Sequence, residues 1–350
     1  MPLRPVVSII TPTYDHADFI GRCIESVLGQ SYPNWEQVIV DDDSKDATAD
    51  IVSQYRDPRI RLERQSNQGA FELAKTYNHA LSLATGELIA ILEGDDFWPP
   101  DKLAKLVPAF DDADVVLAYG EAADVDAGGQ EQGRKSDTAR KIRRLPYSVL
   151  YNNPVGSATR YMLLTEGRSL VSPSTVIIRR GALEQIGGFQ FVAGLPLTDY
   201  PTFLELSLKG KFHFSRRILG YRRRHETSVS VRYAQTIHDT VSDFTLAFLD
   251  RHHNRIDLSS SERQRIQQDW RATEDRLHFS EGRLLLLQRR WPEARAKFHD
   301  ALKSKDLKVR LAAAAGSFFS WLHADIELLM KLAGRAAFRG ARLNATDQKS

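Results

Sequence analysis

The sequence predicts a doubly wound α/β domain with a largely parallel sheet, followed by an all-helical region. Three observations carry this expectation. Short apolar runs alternate with helical stripes through the first 120 residues. Polar and acidic residues gather at one end of the expected strands. Beyond about residue 230 the alternation gives way to Arg-, Gln-, Leu- and Ala-rich segments with one proline, Pro292. Strands that alternate with helices are the pattern of a sheet covered on both faces.

Each element has its own local reason. "VVSIIT" (6–11) is a continuous apolar run, as a strand buried on both faces requires. Ile20, Cys23, Ile24, Val27 and Leu28 then mark one face of a helix. "QVIV" (37–40) and "RIRLER" (59–64) read as the second and third strands, with a helix expected between Asp46 and Tyr55. Ala70, Ala74, Tyr77, Leu81 and Ala84 stripe another helix, and "ELIAIL" (87–92) and "DVVLAY" (114–119) read as strands four and five. Order weakens over 121–170, where 134–144 holds six Lys or Arg and one Asp. It resumes with a strand and helix in 172–189, a helix over 199–210, and a strand pair over 211–225. In the helical region, Gly282, Leu285, Trp291, Ala294, Phe298 and Ala301 have the spacing of one tetratricopeptide-like helix pair near 278–305. Such a unit cannot bury both faces alone, so it packs on the main domain or on a second copy of the chain.

Ligands of open α/β sheets bind beyond the carboxyl ends of the strands. Those ends read "TPTYD" (11–15), "DDDS" (41–44), "QSNQG" (65–69) and "EGDD" (93–96). The last is the most demanding. Glu93, Asp95 and Asp96 repel one another, and burial strengthens the repulsion. Solvent at a loop tip, a partner Lys or Arg, or a divalent metal would offset it.

Composition narrows the class. The 350 residues carry 48 basic and 45 acidic side chains, a balance unlike that of a bulk nucleic-acid binder. The 42% hydrophobic content supports a core, and a lone cysteine, Cys23, rules out an internal disulfide or a Cys-rich metal cluster. The opening residues have no signal-peptide core, and no run approaches the ~18 apolar residues of a membrane span. A soluble cytoplasmic protein is expected. The basic stretch 134–144 and the amphipathic stretch 321–342 are the places where peripheral membrane contact would arise.

Five segments, in order, resemble the family 2 glycosyltransferases, which have the GT-A fold. They are 7–48, with "VDDDS" at its second strand end; 67–103, with "NQG" and "EGDD"; "SPSTVIIRRGALEQIGGF" (172–189); "LTDYPTFLELSLKG" (197–210); and "YRRRHETSVS" (221–230). Together they cover about residues 5–230. The resemblance implies a GT-A domain over 1–229, with a donor half to about 120 and an acceptor half over 121–229. The helical region 230–350 lies outside it. The sequence departs from the family pattern at Glu93, where Asp is usual, and at Asp43, where Gly is usual. It also departs at Tyr77, where an arginine often stands, and at Thr198, where an acid is usual.

What the resemblance implies is a metal-dependent, inverting transfer of sugar from a nucleotide sugar to a hydroxyl of a glycan or lipid-linked acceptor. UDP is the favoured nucleotide, and surface polysaccharide biosynthesis the favoured setting. Mn²⁺ or Mg²⁺ would neutralise the departing diphosphate. By the family pattern Asp95 is the direct metal ligand, His225 closes over the metal or pyrophosphate, and Asp199 is the catalytic general base. Asp42, helped by Asp41, reads the base; Thr11, Pro12 and Tyr14 shape the base and ribose wall. Asn67, Gly69, Lys75, Glu93 and Gly94 complete the donor site, and Asp96, Trp98, Arg222 and Arg224 support it. The alternative is a catalytically weak nucleotide-sugar-binding scaffold that acts through its helical region, in which a homodimer contact would also lie.

Overall fold

The computed structural model describes residues 6–131, 142, 144–164, 167, 170–225, 227–256 and 258–323. Of the basic stretch 134–144 only Ile142 and Arg144 fall within these, and of 321–342 only the first three residues. The chain forms two compact units, Met1–Asp257 and Leu258–Ser350.

The first unit is built on seven strands: β1 Val7–Thr13, β2 Trp35–Asp41, β3 Ile60–Arg64, β4 Leu88–Ile91, β5 Val115–Val125, β6 Ile177–Arg179 and β7 Lys211–Arg223. Their order is β3-β2-β1-β4-β6-β5-β7. The pairs β1–β2, β2–β3, β1–β4 and β5–β7 are parallel. Only the three-residue β6 runs against its neighbours, and it makes the sheet mixed. β1 is buried along its whole length. Val7 and Ile9 join the core with Ile20, Cys23, Ile24 and Val27 of the Ile20–Leu28 helix. The Leu73–Leu83 helix packs on β1 and β2. Each such buried Val or Ile contributes about 1.5–3 kcal/mol.

The expected strand pair over 211–225 is instead one long strand. β7 runs unbroken beside β5, with register shifts at Gly120/Glu121 and Glu121/Ala122 that absorb the irregular stretch. Gly220 marks a close approach rather than a turn: a Cβ there would lie 2.7 Å from the Ser174 carbonyl. The first unit also extends past residue 230. The Ala234–Arg251 helix buries Val241, Phe248 and Leu249, and Thr245 Oγ1 lies 3.0 Å from the Tyr200 hydroxyl. His252 Nε2 pairs with Glu205 Oε1 at 3.0 Å.

The second unit holds three described helices, Ser260–Leu287, Trp291–Ala301 and Leu307–Trp321. Ser259 and Glu262 form a capping box that satisfies the first helix's end. The core is Leu286, Ala294, Phe298, Ala301, Val309 and Ala313. Phe298 sits between two glycines: Cβ atoms at Gly282 and Gly316 would lie 2.7 and 2.4 Å from its ring.

Candidate active site

The sheet order brings the ends of β1, β2 and β4 side by side, so their loops share one edge. The loop after β2 is held by its own acids. Asp41 accepts hydrogen bonds from Ser44 N–H at 3.1 Å and from the Ser44 hydroxyl, and pairs with Arg64 Nε at 3.1 Å. Asp42 reaches the loop after β3. Its carboxylate accepts from Gln65 Nε2 at 2.6 Å, Gln68 N–H at 3.0 Å and Gly69 N–H at 3.3 Å. Asn67 Nδ2 donates to the Asp42 carbonyl at 2.8 Å. Asp43 takes φ +67°, the left-handed backbone that favours Gly. Gly69, at φ +79°, needs the same freedom. Thr11 points inward, accepting from Gln37 Nε2 at 3.0 Å, and the Pro12 carbonyl accepts Gly94 N–H at 3.1 Å. Tyr14 is exposed, and Lys75 pairs with Glu72 at 3.3 Å.

The acids after β4 do three different jobs. Glu93 Oε1 accepts from the Tyr77 hydroxyl at 2.7 Å. Burial, then the charge of Asp95, pushes the Glu93 carboxyl up to about 7. Asp95 Oδ2 meets His225 Nε2 at 2.9 Å. Burial works to raise the Asp95 carboxyl, but the His225 hydrogen bond and the fields of His16 and His225 hold it below its ordinary value. Asp96 is spent on structure: Oδ1 accepts Arg223 N–H at 2.8 Å and Oδ2 accepts the Ser174 hydroxyl. Burial and the charges of Asp95 and Glu93 push its carboxyl well up.

Buried Lys102 does not ion-pair with this cluster. Its Nζ donates to the Ser174 carbonyl at 3.0 Å and lies 3.3 Å from the Trp98 ring centroid. Trp98 is itself buried, its indole N–H on the same carbonyl at 2.7 Å.

Two groups of potential ligands share Asp95. The atoms of Glu93, Asp95 and Asp96 lie within 4.8 Å of one another, and so do those of His16, Asp95 and His225. Carboxylate oxygens suit hard divalent cations such as Mn²⁺ or Mg²⁺, and imidazole nitrogens suit first-row transition metals, so these residues could hold a divalent ion. Asp96 is already bonded to Ser174 and Arg223, whereas Asp95 belongs to both groups. Gly94 gives the loop room: a Cβ would lie 2.5 Å from Thr13 Oγ1 and 2.8 Å from His16 Nδ1. Asp199 opens the Asp199–Ser207 helix, and its charge helps raise both Glu93 and Tyr77.

Residues 8–187 match the profile of Glycosyl transferase family 2, about half of the chain. The chain belongs to that family.

Among relatives of this transferase, the "Putative teichuronic acid biosynthesis glycosyltransferase TuaG" of Bacillus subtilis is 32% identical over 210 residues. That alignment covers 59% of this chain and 74% of the relative. The "UDP-Glc:alpha-D-GlcNAc-diphosphoundecaprenol beta-1,3-glucosyltransferase WfgD" of Escherichia coli is 39% identical over 115 residues, covering 33% of this chain and 45% of the relative. In three dimensions the transferase resembles S. aureus TarS 1-349 in complex with UDP-GlcNAc, with a TM-score of 0.56 and 18% identity over 95% of this chain and 93% of that one. It also resembles the mannosyltransferase PcManGT from Pyrobaculum calidifontis in complex with GDP-Man and Mn²⁺, with a TM-score of 0.54 and 21% identity over 97% and 83%. These likenesses show the GT-A fold. No helix among the described residues is long and apolar enough to cross a membrane.

The candidate site of the transferase also gathers residues that the motifs do not single out as ligands or donor contacts. His16, one residue beyond "TPTYD", joins Asp95 and His225, and its imidazole is pushed down by burial. Tyr77, read as one of an apolar stripe, bonds Glu93. Arg223 stands between Arg222 and Arg224, the two expected to support the donor site. Arg222 and Arg224 instead share Asp124, at 2.8 and 3.5 Å. Arg223 turns the other way, its N–H on Asp96 and its Nε on the Asp95 carbonyl at 2.8 Å. Side chains alternate along a strand, and β7 continues through Arg223.

Proposed function

We propose that this family 2 transferase moves a sugar from a nucleotide diphosphate sugar, UDP-linked by preference, to a hydroxyl of a glycan or lipid-linked acceptor, with inversion at the anomeric carbon. The observation that carries the reading is Asp95, common to the carboxylate group and to the His16–His225 group at the edge where β4 ends. Asp95 and His225 would hold Mn²⁺ or Mg²⁺, with His16 and Glu93 beside them. When bound, the cation supplies positive charge against the diphosphate as negative charge develops on it.

The chain's own groups do the rest. Asp42 and the 65–69 loop it clamps form the wall for the base and ribose. Asp199 takes the proton of the acceptor hydroxyl as that oxygen forms its bond to the anomeric carbon, while the bond to the diphosphate oxygen breaks on the opposite face. Tyr77 fixes Glu93, and Arg223 fixes the backbone of Asp95, so neither must reorganise during the reaction. The names of two relatives, which point to teichuronic acid and to a diphosphoundecaprenol acceptor, support a role in surface polysaccharide assembly. Such a role puts the enzyme on the cytoplasmic side, in peripheral contact with the membrane where its acceptor is lipid-linked.

Titration calorimetry with UDP-, GDP- and dTDP-sugars, with Mn²⁺ and with EDTA, tests the reading. One nucleotide class is expected to bind with Mn²⁺ and not with EDTA, and Asp95→Ala is expected to abolish that binding. If no donor binds under either condition, the donor site as assigned here is wrong.

A further inference from the structure

A second cleft lies at the opposite edge of the sheet, where β5 and β7 begin. It is an open cleft of about 400 Å³. Two tyrosines line it, with stacked rings whose centroids are 5.7 Å apart at 27°. Tyr151 is fixed from both ends: its carbonyl accepts Phe212 N–H at 2.8 Å, and its hydroxyl donates to the Phe214 carbonyl at 3.2 Å. His213 meets the same ring edge-on, centroids 5.7 Å apart. Tyr147 is left open, 67% exposed. Around the rings stand Asp112 and Lys211, paired at 3.3 Å, and Asn153.

This arrangement has the chemistry of a sugar site. An aromatic face exposed to water gains by meeting the C–H face of a pyranose ring. The hydroxyls on the rim of that ring need both donors and acceptors. The Asn153 amide offers both; Asp112, which also accepts Asp114 N–H at 2.9 Å, keeps spare carboxylate lone pairs, and Lys211, which also pairs with Asp114 at 2.8 Å, keeps a third N–H. Burial lowers the His213 imidazole, so near neutral pH it also offers one donor and one acceptor nitrogen. A concave pocket with a few polar groups around an apolar floor is the usual form of a small-ligand site.

The cleft is remote from the transfer site. β5 runs beside the whole of β7 in 11 residues, so at ~3.3 Å per residue roughly 33 Å separate Lys211 from the arginines beside Asp95 and Asp124. Only a long chain reaches both ends. We propose that the cleft is a second carbohydrate-binding site, which stacks a distal sugar of the glycan acceptor on Tyr147 and holds its hydroxyls with Asp112, Lys211 and Asn153. The inference rests on the reading that the acceptor is a glycan. Its consequence is kinetic: capture of the far end raises the effective concentration of the near end, so long acceptors gain and short ones do not.

Calorimetry on the full chain, with neither donor nor metal, tests this directly. The probes are chitohexaose, cellohexaose, maltoheptaose and a galacturonate decamer. At least one is expected to bind, Tyr147→Ala to weaken it about tenfold, and Tyr147→Phe to retain it. Asn153→Ala is expected to weaken it as well, and nucleotide-sugar binding with Mn²⁺ to be the same in wild type and Tyr147→Ala. Tyr147-dependent glycan binding in a protein that binds no donor would support the cleft while removing the donor-site reading. The proposal is overturned if no probe binds at millimolar concentration, or if Tyr147→Ala binds as well as wild type. It is also overturned if sedimentation shows that Tyr147→Ala alters self-association and leaves glycan binding unmoved.

Discussion

At the scale of the residue, Gly94 shows how little room the candidate site has. An alanine there would press its Cβ on Thr13 Oγ1 and His16 Nδ1, so the loop carrying Asp95 must move. Gly94→Ala should fold normally by circular dichroism and lose about 10²-fold in turnover, since a displacement near 1 Å costs that much. Asp199→Asn should lose about 10²–10⁴-fold in turnover, the worth of a general base, and leave donor affinity measured by calorimetry unchanged. Away from the site, Glu36 gives a pH prediction. Burial works to raise its carboxyl, but hydrogen bonds from Ser8, Thr85 and Gly86 outweigh this and leave it below its ordinary value. A carboxyl lowered by folding stabilises the fold above its unfolded pKa and loses that contribution as pH falls through its folded pKa. Thermal melting should therefore show Glu36→Gln less stable than wild type at pH 7, with the gap closing as pH drops below about 4.5. The acids after β4 were legible in sequence because three of them stand within four positions. Their division of labour was not. Nothing local says that Asp96 is taken by Ser174 and Arg223 while Asp95 faces two histidines.

At the scale of the element, most strands and helices of the first 120 residues follow from period alone. Apolar runs of four to six residues fit buried strands, and stripes at 3.6 fit helices. β7 departs from the expected strand pair because it resumes its pairing with β5 beyond Arg216 and Arg217, which are passed over in the register, so that long-range pairing overrides the local signal. The same strand selects Arg223 by alternation, which residue composition cannot do. In the second unit, Phe298 is clamped between Gly282 and Gly316, and its ring cannot retreat from one without meeting the other. Alanine in a helix interior gains up to ~1 kcal/mol over glycine, but overpacking costs about 1–3 kcal/mol. Gly282→Ala and Gly316→Ala should each lower the melting temperature of this unit, and the double variant by more than their sum, because the first substitution removes the space the ring would use for the second.

At the scale of the whole molecule, every donor-site residue lies in the first unit. A fragment of residues 1–257 should bind the nucleotide sugar with Mn²⁺ as the full chain does, measured by calorimetry; loss of binding would assign the second unit a part in the donor site. The class of fold, the family and the acid-rich loops are readable from the chain alone, because each is written in a contiguous stretch whose spacing local physics constrains. Tertiary structure alone decided which residues meet. His16 and Asp95 follow β1 and β4, which are neighbours in the strand order, whereas His225 follows the edge strand β7 and reaches them because the Phe97–Tyr221 bridge ties the end of β7 to the loop after β4. That order is a matter of long-range hydrogen bonding and shared burial. No single stretch of sequence encodes it, because each strand's partner is chosen by the rest of the chain.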